Sequence, residues 1–170
     1  IGYALTGLGL MFVGLSFMSR SIKGSEILTG ALQNLFAFKP VQFPLLLILI
    51  GIICTALFQS SAAMTALVVT MVGTIIPMES ALFIILGTNI GTCVTAIIAS
   101  FGASTNAKRT AMIHLLFNTI GTVLFTTFIW IFKNPVVYLF NLMAPNSPQM
   151  QVALFHVIFN VLTTALLVPF

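Results

Sequence analysis

The chain has 170 residues, of which 59% are hydrophobic and 5% charged, with a net charge of +4 and a mean hydropathy of +1.19. A soluble domain carries about 25% charged residues, so this composition excludes a soluble globular fold and places the chain in a lipid bilayer. The positive balance is what Lys and Arg at membrane edges produce, and it calls for no nucleic-acid partner.

The eight charged residues, Arg20, Lys23, Glu26, Lys39, Glu79, Lys108, Arg109 and Lys133, all fall near the ends of apolar segments. The charge-free tracts 40–78, 80–107, 110–132 and 134–170 are each long enough to cross a hydrocarbon core of roughly 30 Å. Cys54 and Cys93 lie in apolar surroundings and read as buried free thiols rather than a disulfide. The chain opens at Ile1 without a Met, which points to a trimmed product or part of a longer chain.

A first span is expected over 2–18, where Gly2, Gly7, Gly9 and Gly14 allow close helix approach and Arg20 and Lys23 mark a headgroup surface. Residues 25–38 set Leu28, Leu32, Leu35 and Phe36 against Glu26, Gln33 and Asn34, the pattern of a short helix lying in the interface. Pro40 and Pro44 lead into the next apolar segment.

The stretch 43–76 is about 50 Å long as one helix, too long for one span and too short for two. Gln59-Ser60-Ser61 sits at its middle, so the length predicts a re-entrant hairpin of two half-length helices with the polar triplet at the tip. Counting Lys and Arg favours one long span, which divides them five to one against four to two for the hairpin. Length is the stronger constraint, since weak charge asymmetry is common.

Residues 80–101 read as a span broken at 87–92, where Gly87 and Gly91 let the helix unwind and bare carbonyls. A turn at 102–106, a span over 107–132, a loop with some interfacial character over 135–148 and a last span over 150–168 complete the chain. Two of these spans share a motif. Ala111-x-x-His114-x-x-Phe117-Asn118 and Ala153-x-x-His156-x-x-Phe159-Asn160 repeat forty-two residues apart. His and Asn at i, i+4 share a helical face, continued by Thr122 and Thr164. Interhelical hydrogen bonding is the plainer role for that face; solute or proton handling by the histidines is the sharper one.

Lipid satisfies no polar group, so the Gln-Ser-Ser and Gly-Thr-Asn-Ile-Gly-Thr clusters must find partners in protein, water or a solute. They offer the hydroxyls of Ser60, Ser61, Thr65, Thr88, Thr92 and Thr95, the amides of Gln59 and Asn89, and freed backbone groups. This neutral, oxygen-rich set suits a hard monovalent cation such as sodium. Half-helix N-termini, each with roughly half a positive charge, face an anion. Ser60 and Ser61 lead into a half-helix over 62–74, so their N–H groups fit anion contact. Isolated residues such as Thr70 and Ser80 read as packing positions.

Taken in series, Gln59-Ser60-Ser61, Gly87-Thr88-Asn89-Ile90-Gly91-Thr92-Cys93-Val94-Thr95 and Ala111-x-x-His114-x-x-Phe117-Asn118 resemble the type II sodium–phosphate cotransporter family. That family carries Q-S-S-S, G-[AS]-N-I-G-T-[TS]-x-T and A-x-x-H-x-x-F-N in this order. The resemblance implies two inverted repeats, each with a Q-S-S-S hairpin and a broken helix, and this chain is similar to the second. It implies a secondary active transporter coupling sodium movement to inorganic phosphate uptake by alternating access. By position it places Gln59, Ser60, Thr92 and Thr95 at sodium, and Ser60, Ser61 and Asn89 at phosphate, with Asn89 also holding the unwound segment. Thr65, Thr88, His114, Asn118, His156 and Asn160 are supporting polar residues. Ala62, Met64 and Cys93 depart from the family pattern, and the first two remove possible oxygen ligands.

The resulting expectation is an all-α integral membrane protein of the plasma (inner) membrane, one transporter repeat with a re-entrant hairpin and a discontinuous transmembrane helix. No cofactor and no metal beyond sodium are expected. No second Q-S-S copy occurs in the 170 residues, so the expected partner is a second repeat of the same chain or a second protomer. The rival classes are a passive ion or anion channel and a structural membrane subunit. An enzyme is disfavoured, because Ser60 and Ser61 lie outside G-x-S-x-G and no metal-ligand spacing appears.

Overall fold

Long apolar runs settle into helices because a helix pairs its backbone groups within the segment, as hydrocarbon demands. In the computed structural model, which describes residues 2–169, the chain is all-helical. The elements are α1 (Gly2–Gly24), α2 (Glu26–Ala37), a 3-10 turn (Lys39–Gln42), α3 (Pro44–Phe58), α4 (Ser61–Met71), α5 (Met78–Ser100), α6 (Thr105–Ile131), α7 (Lys133–Met143) and α8 (Pro148–Leu167). Four of them, α1, α5, α6 and α8, are long and apolar enough to span a membrane, while α3 and α4 are shorter apolar helices. The chain is therefore an all-α integral membrane protein.

Helix α5 is the axis of the fold. Every residue over 80–89 is buried, together with Gly91 and Cys93, as befits a helix enclosed on all sides. Its closest neighbour is α3. Pro44 and Leu47 line one cavity with Glu79 and Phe83, Ile48 meets Gly87, and Ile52 and Thr55 meet Gly91, so residue numbers rise together and the two helices run parallel. A Cβ at Gly51 would overlap the carbonyl oxygen of Ile84, and one at Gly87 that of Ile48. A Cβ at Gly91 would sit 2.6 Å from Thr55 Cβ.

This contact corrects the expected break. Helix α5 runs unbroken through 87–92, so the discontinuous helix is not present here. Gly87 and Gly91 are small because α3 lies against them. Close approach and unwinding both ask for a missing side chain, and the neighbouring backbone decides in favour of approach.

The break that does occur lies at Gln59-Ser60, between α3 and α4. Beyond it, α4 packs Met64, Val68 and Met71 into the core, and a turn through Gly73 (φ +79°) leads to α5. Gln42 and Pro44 at the start of α3 line one cavity with Pro77 and Glu79 at the start of α5.

Three further departures have simple causes. Helix α1 buries no residue, and a Cβ at Gly2, Gly7, Gly9 or Gly14 would meet open space, so no close helix contact uses these glycines among the described residues. Residues 133–143 form helix α7 where a loop was expected. Pro135 sits in the first turn, where its missing N–H costs nothing, and Val136 and Phe140 on one face are buried. Thr164 is exposed, and its neighbour Thr163 packs against Gly121 instead.

Candidate functional site

Gln59 caps α3 in the left-handed region at φ 53°, with its N–H donating to Thr55 O at 2.8 Å. Glycine or asparagine is usual in that conformation, and other residues held there mark a place to look for function. Its side chain is exposed. Ser60 is extended and N-caps α4, its Oγ accepting from Ala63 N at 3.2 Å. The amides of Ser61 and Ala62 lie ahead of the first helix-internal bond and point out of the helix end, the polarity that anions meet.

Two hydroxyls flank this tip without partners. Thr55 Oγ1, one turn before Gln59, and Thr65 Oγ1, one turn after Ser61, are buried and make no hydrogen bond. Thr55 is fully buried and presses on Gly91. It was missed in the sequence, although its i−4 spacing from Gln59 carried the signal.

The polar residues of α5 are satisfied by their own helix. Thr88 Oγ1 and Asn89 Nδ2 donate to Ile85 O at 2.8 and 2.9 Å. Thr92 donates to Asn89 O, and Thr95 Oγ1 donates to Thr92 O at 2.8 Å. A hydroxyl that donates its hydrogen to a carbonyl still holds lone pairs, so Thr92 and Thr95 remain acceptors. Asn89 keeps its Oδ1 free to accept. Among the described residues no hydrogen bond joins Gln59, Ser60 or Ser61 to α5. Register brings the two near each other: Thr55 faces Gly91, and Gln59 and Thr95 each lie one turn further along parallel helices.

The histidine motif ties helices through other atoms than the imidazoles. Asn118 Nδ2 donates to His114 O at 3.0 Å and lies 3.4 Å from Cys93 Sγ on α5. Thr122 Oγ1 donates to Leu86 O at 3.2 Å, also on α5. Asn160 Nδ2 donates to His156 O at 2.8 Å. His114 itself is exposed. Among the described residues no group of three or more His, Cys, Asp or Glu is placed to hold a metal.

The sequence profile of the family described as Na+/Pi-cotransporter matches residues 23–134. Protein YqeW of Bacillus subtilis is 32% identical over 173 residues, covering 98% of this chain and 55% of that protein. The human sodium-dependent phosphate transport protein 2B is 31% identical over 133 residues, covering 69% of this chain and 19% of that protein. The putative inorganic phosphate export protein YjbB of Salmonella typhimurium is 28% identical over 171 residues, covering 100% of this chain and 30% of that protein. The chain thus spans about half the length of the first of these relatives and less of the others. No solved structure matches it. The family match covers the α3–α4 break and both flanking threonine sets, and the chain belongs to the Na+/Pi-cotransporter family.

Proposed function

We propose that this chain is one repeat of a secondary active transporter of the plasma (inner) membrane that couples sodium movement to inorganic phosphate uptake by alternating access. The carrying observation is the helix break at Gln59-Ser60, flanked by the buried, partnerless hydroxyls of Thr55 and Thr65. An unsatisfied hydroxyl in an apolar setting costs about 1–3 kcal/mol, so these two mark a place where the fold leaves polar capacity beside the break for a solute. In the parallel register set by Thr55 and Gly91, Thr95 comes level with Gln59 and Thr92 lies nearly one turn before it. The proposed sodium ligands are Gln59, Ser60, Thr92 and Thr95.

The helix start at Ser60 and Ser61 is the proposed anion contact, and it supports phosphate through N–H groups and the positive helix end. Asn89 joins that contact by exchanging its bond to Ile85 O. The shared cavity at the starts of α3 and α5 supports reading 43–76 as a re-entrant hairpin with both ends on one side of the membrane. The site is completed by a second repeat or a second protomer, as in other transporters built from repeats. Related proteins are named for transport and for export. An inward sodium gradient, with about 2.3 kcal/mol per charge for each 100 mV, drives uptake.

The test is sodium-dependent uptake of labelled phosphate by the full-length protein in proteoliposomes. Thr92→Val and Thr95→Val delete a hydroxyl and keep the shape. Each is expected to raise the sodium concentration for half-maximal uptake by about 5- to 150-fold, the equivalent of losing 1–3 kcal/mol. Unchanged sodium dependence in both variants refutes the site. Phosphate flux that ignores sodium altogether identifies a passive channel.

A further inference from the structure

Two cavities meet at Pro44 and Trp130, away from the Gln59-Ser60 break. One, of 390 Å³, lies among helix ends and is lined by Gln42, Glu79, Ser80 and Lys133 beside Trp130. The other, of 350 Å³, is an almost wholly apolar groove between α3 and α6, bounded by Ile48, Ile90, Val123 and Thr126. From Trp130 to Thr122 the groove follows α6 for roughly 12 Å, at 1.5 Å per residue, from the helix end toward its middle. Trp130 is 66% exposed at the boundary of the two, the depth at which Trp gathers in membrane proteins.

We propose that these joined cavities hold one phospholipid whose headgroup carries both a phosphate and a primary ammonium, as phosphatidylethanolamine does. Three levels of the lipid match three levels of the protein. The headgroup lies at Glu79 and Lys133, which pair at 2.5 Å with their side chains half exposed. That pair is neutral as a whole and presents one charge of each sign, so it complements a zwitterion: Lys133 receives the phosphate and Glu79 the ammonium. One turn deeper lies Thr126. Its Oγ1 is buried without a hydrogen-bond partner, whereas Thr122 and Thr127 in the same groove both donate to carbonyls. That hydroxyl is closed off from the groove as it stands, and a turn of the Thr126 side chain would bring it to a lipid's ester carbonyl, a few ångströms below the phosphate. Below Thr126 the lining is apolar apart from Thr122, whose hydroxyl is already bonded to Leu86 O, which suits an acyl chain.

The experiment is native mass spectrometry of the full-length protein with phosphatidylethanolamine, phosphatidylcholine or phosphatidylglycerol added. Wild-type protein is expected to retain phosphatidylethanolamine about tenfold over phosphatidylcholine, whose ammonium donates no hydrogen bond. Val123 is 58% exposed, so Val123→Trp fills the groove from its open side without crowding the core, and retention of all three lipids should fall. Glu79→Gln should erase the preference between the lipids and leave acyl-chain binding in place. Equal retention of the three lipids by wild type overturns the headgroup assignment. Undiminished retention in Val123→Trp, checked to be folded by an unchanged melting temperature in lipid-free detergent, overturns the groove. Absence of any bound phospholipid from wild type also overturns it, and shows that another segment of the full-length protein fills the cavity.

Discussion

Gly87→Ala is the sharpest test of how α5 is held. A Cβ at Gly87 would overlap Ile48 O and stand 2.9 Å from Ile48 C and 3.0 Å from its Cα, where ordinary contact begins at 3.4 Å. All three obstacles are backbone, so no side-chain rotation relieves them and α3 must retreat by roughly an ångström. A gap of that size forfeits about a quarter to a half of the dispersion energy along the seam, which includes Ile48, Ile52, Thr55 and Ile84. We expect a loss of about 3 kcal/mol, the upper end of ordinary overpacking, read as a fall of several degrees in the melting temperature of the purified protein by circular dichroism. Gly7→Ala is the control, because its Cβ meets nothing within 4 Å, and it should leave the melting temperature unchanged. If instead Gly87 served to let α5 unwind, Ala would reduce transport while leaving thermal stability near wild type. Equal melting temperatures for Gly87→Ala and Gly7→Ala would refute the packing argument.

The polar tethers make two further predictions. Asn118→Ala removes a buried amide that reaches both His114 O and Cys93 Sγ, and should cost about 1–3 kcal/mol. His114→Asn, at an exposed position whose backbone carbonyl does the bonding, should change stability by less than about 0.5 kcal/mol and leave the pH profile of transport in place; a shifted profile at unchanged stability would assign that imidazole to proton handling. Ser60→Ala deletes the N-cap of α4 and should cost about 1 kcal/mol in thermal unfolding, with Ser60→Asp recovering most of that stability but not phosphate uptake, since a carboxylate repels the anion. Recovery of uptake by Ser60→Asp would remove Ser60 from phosphate contact.

Membrane residence and the long helices were legible because hydrocarbon permits so few backbone solutions: 80–101, 107–132 and 150–168 could scarcely be anything but helix. What stayed hidden was what each small or proline residue was for. Pro135 and Pro145 suggested a loop, yet Pro135 falls in a first turn, and the Val136–Phe140 spacing was the signal of the α7 face. Gly87 and Gly91 fit unwinding and close packing equally well in one dimension. Only the position of Ile48 and Thr55 distinguishes the two. The same holds for α1, whose first four glycines look like a contact face and meet open space in this chain.

The site shows a division of labour that composition alone does not reveal. In α5, Thr88, Thr92 and Thr95 each spend their one donor, and Asn89 one of its two amide hydrogens, on a carbonyl three or four residues back, so the unbroken helix presents mainly oxygen lone pairs. At the α3–α4 break the balance is reversed, because a helix start presents N–H groups that no carbonyl of its own can reach. In the proposed site one wall would thus be mainly an acceptor surface and the other would add the N–H groups of a helix start, without a formal charge on either. A cation and an anion bound between them neutralise each other, and binding one strengthens the site for the other by the ordinary Coulomb attraction of close charges in a low-dielectric setting. Under the proposed function, coupling between sodium and phosphate would rest on the two walls closing on both ions together and would need no acidic residue.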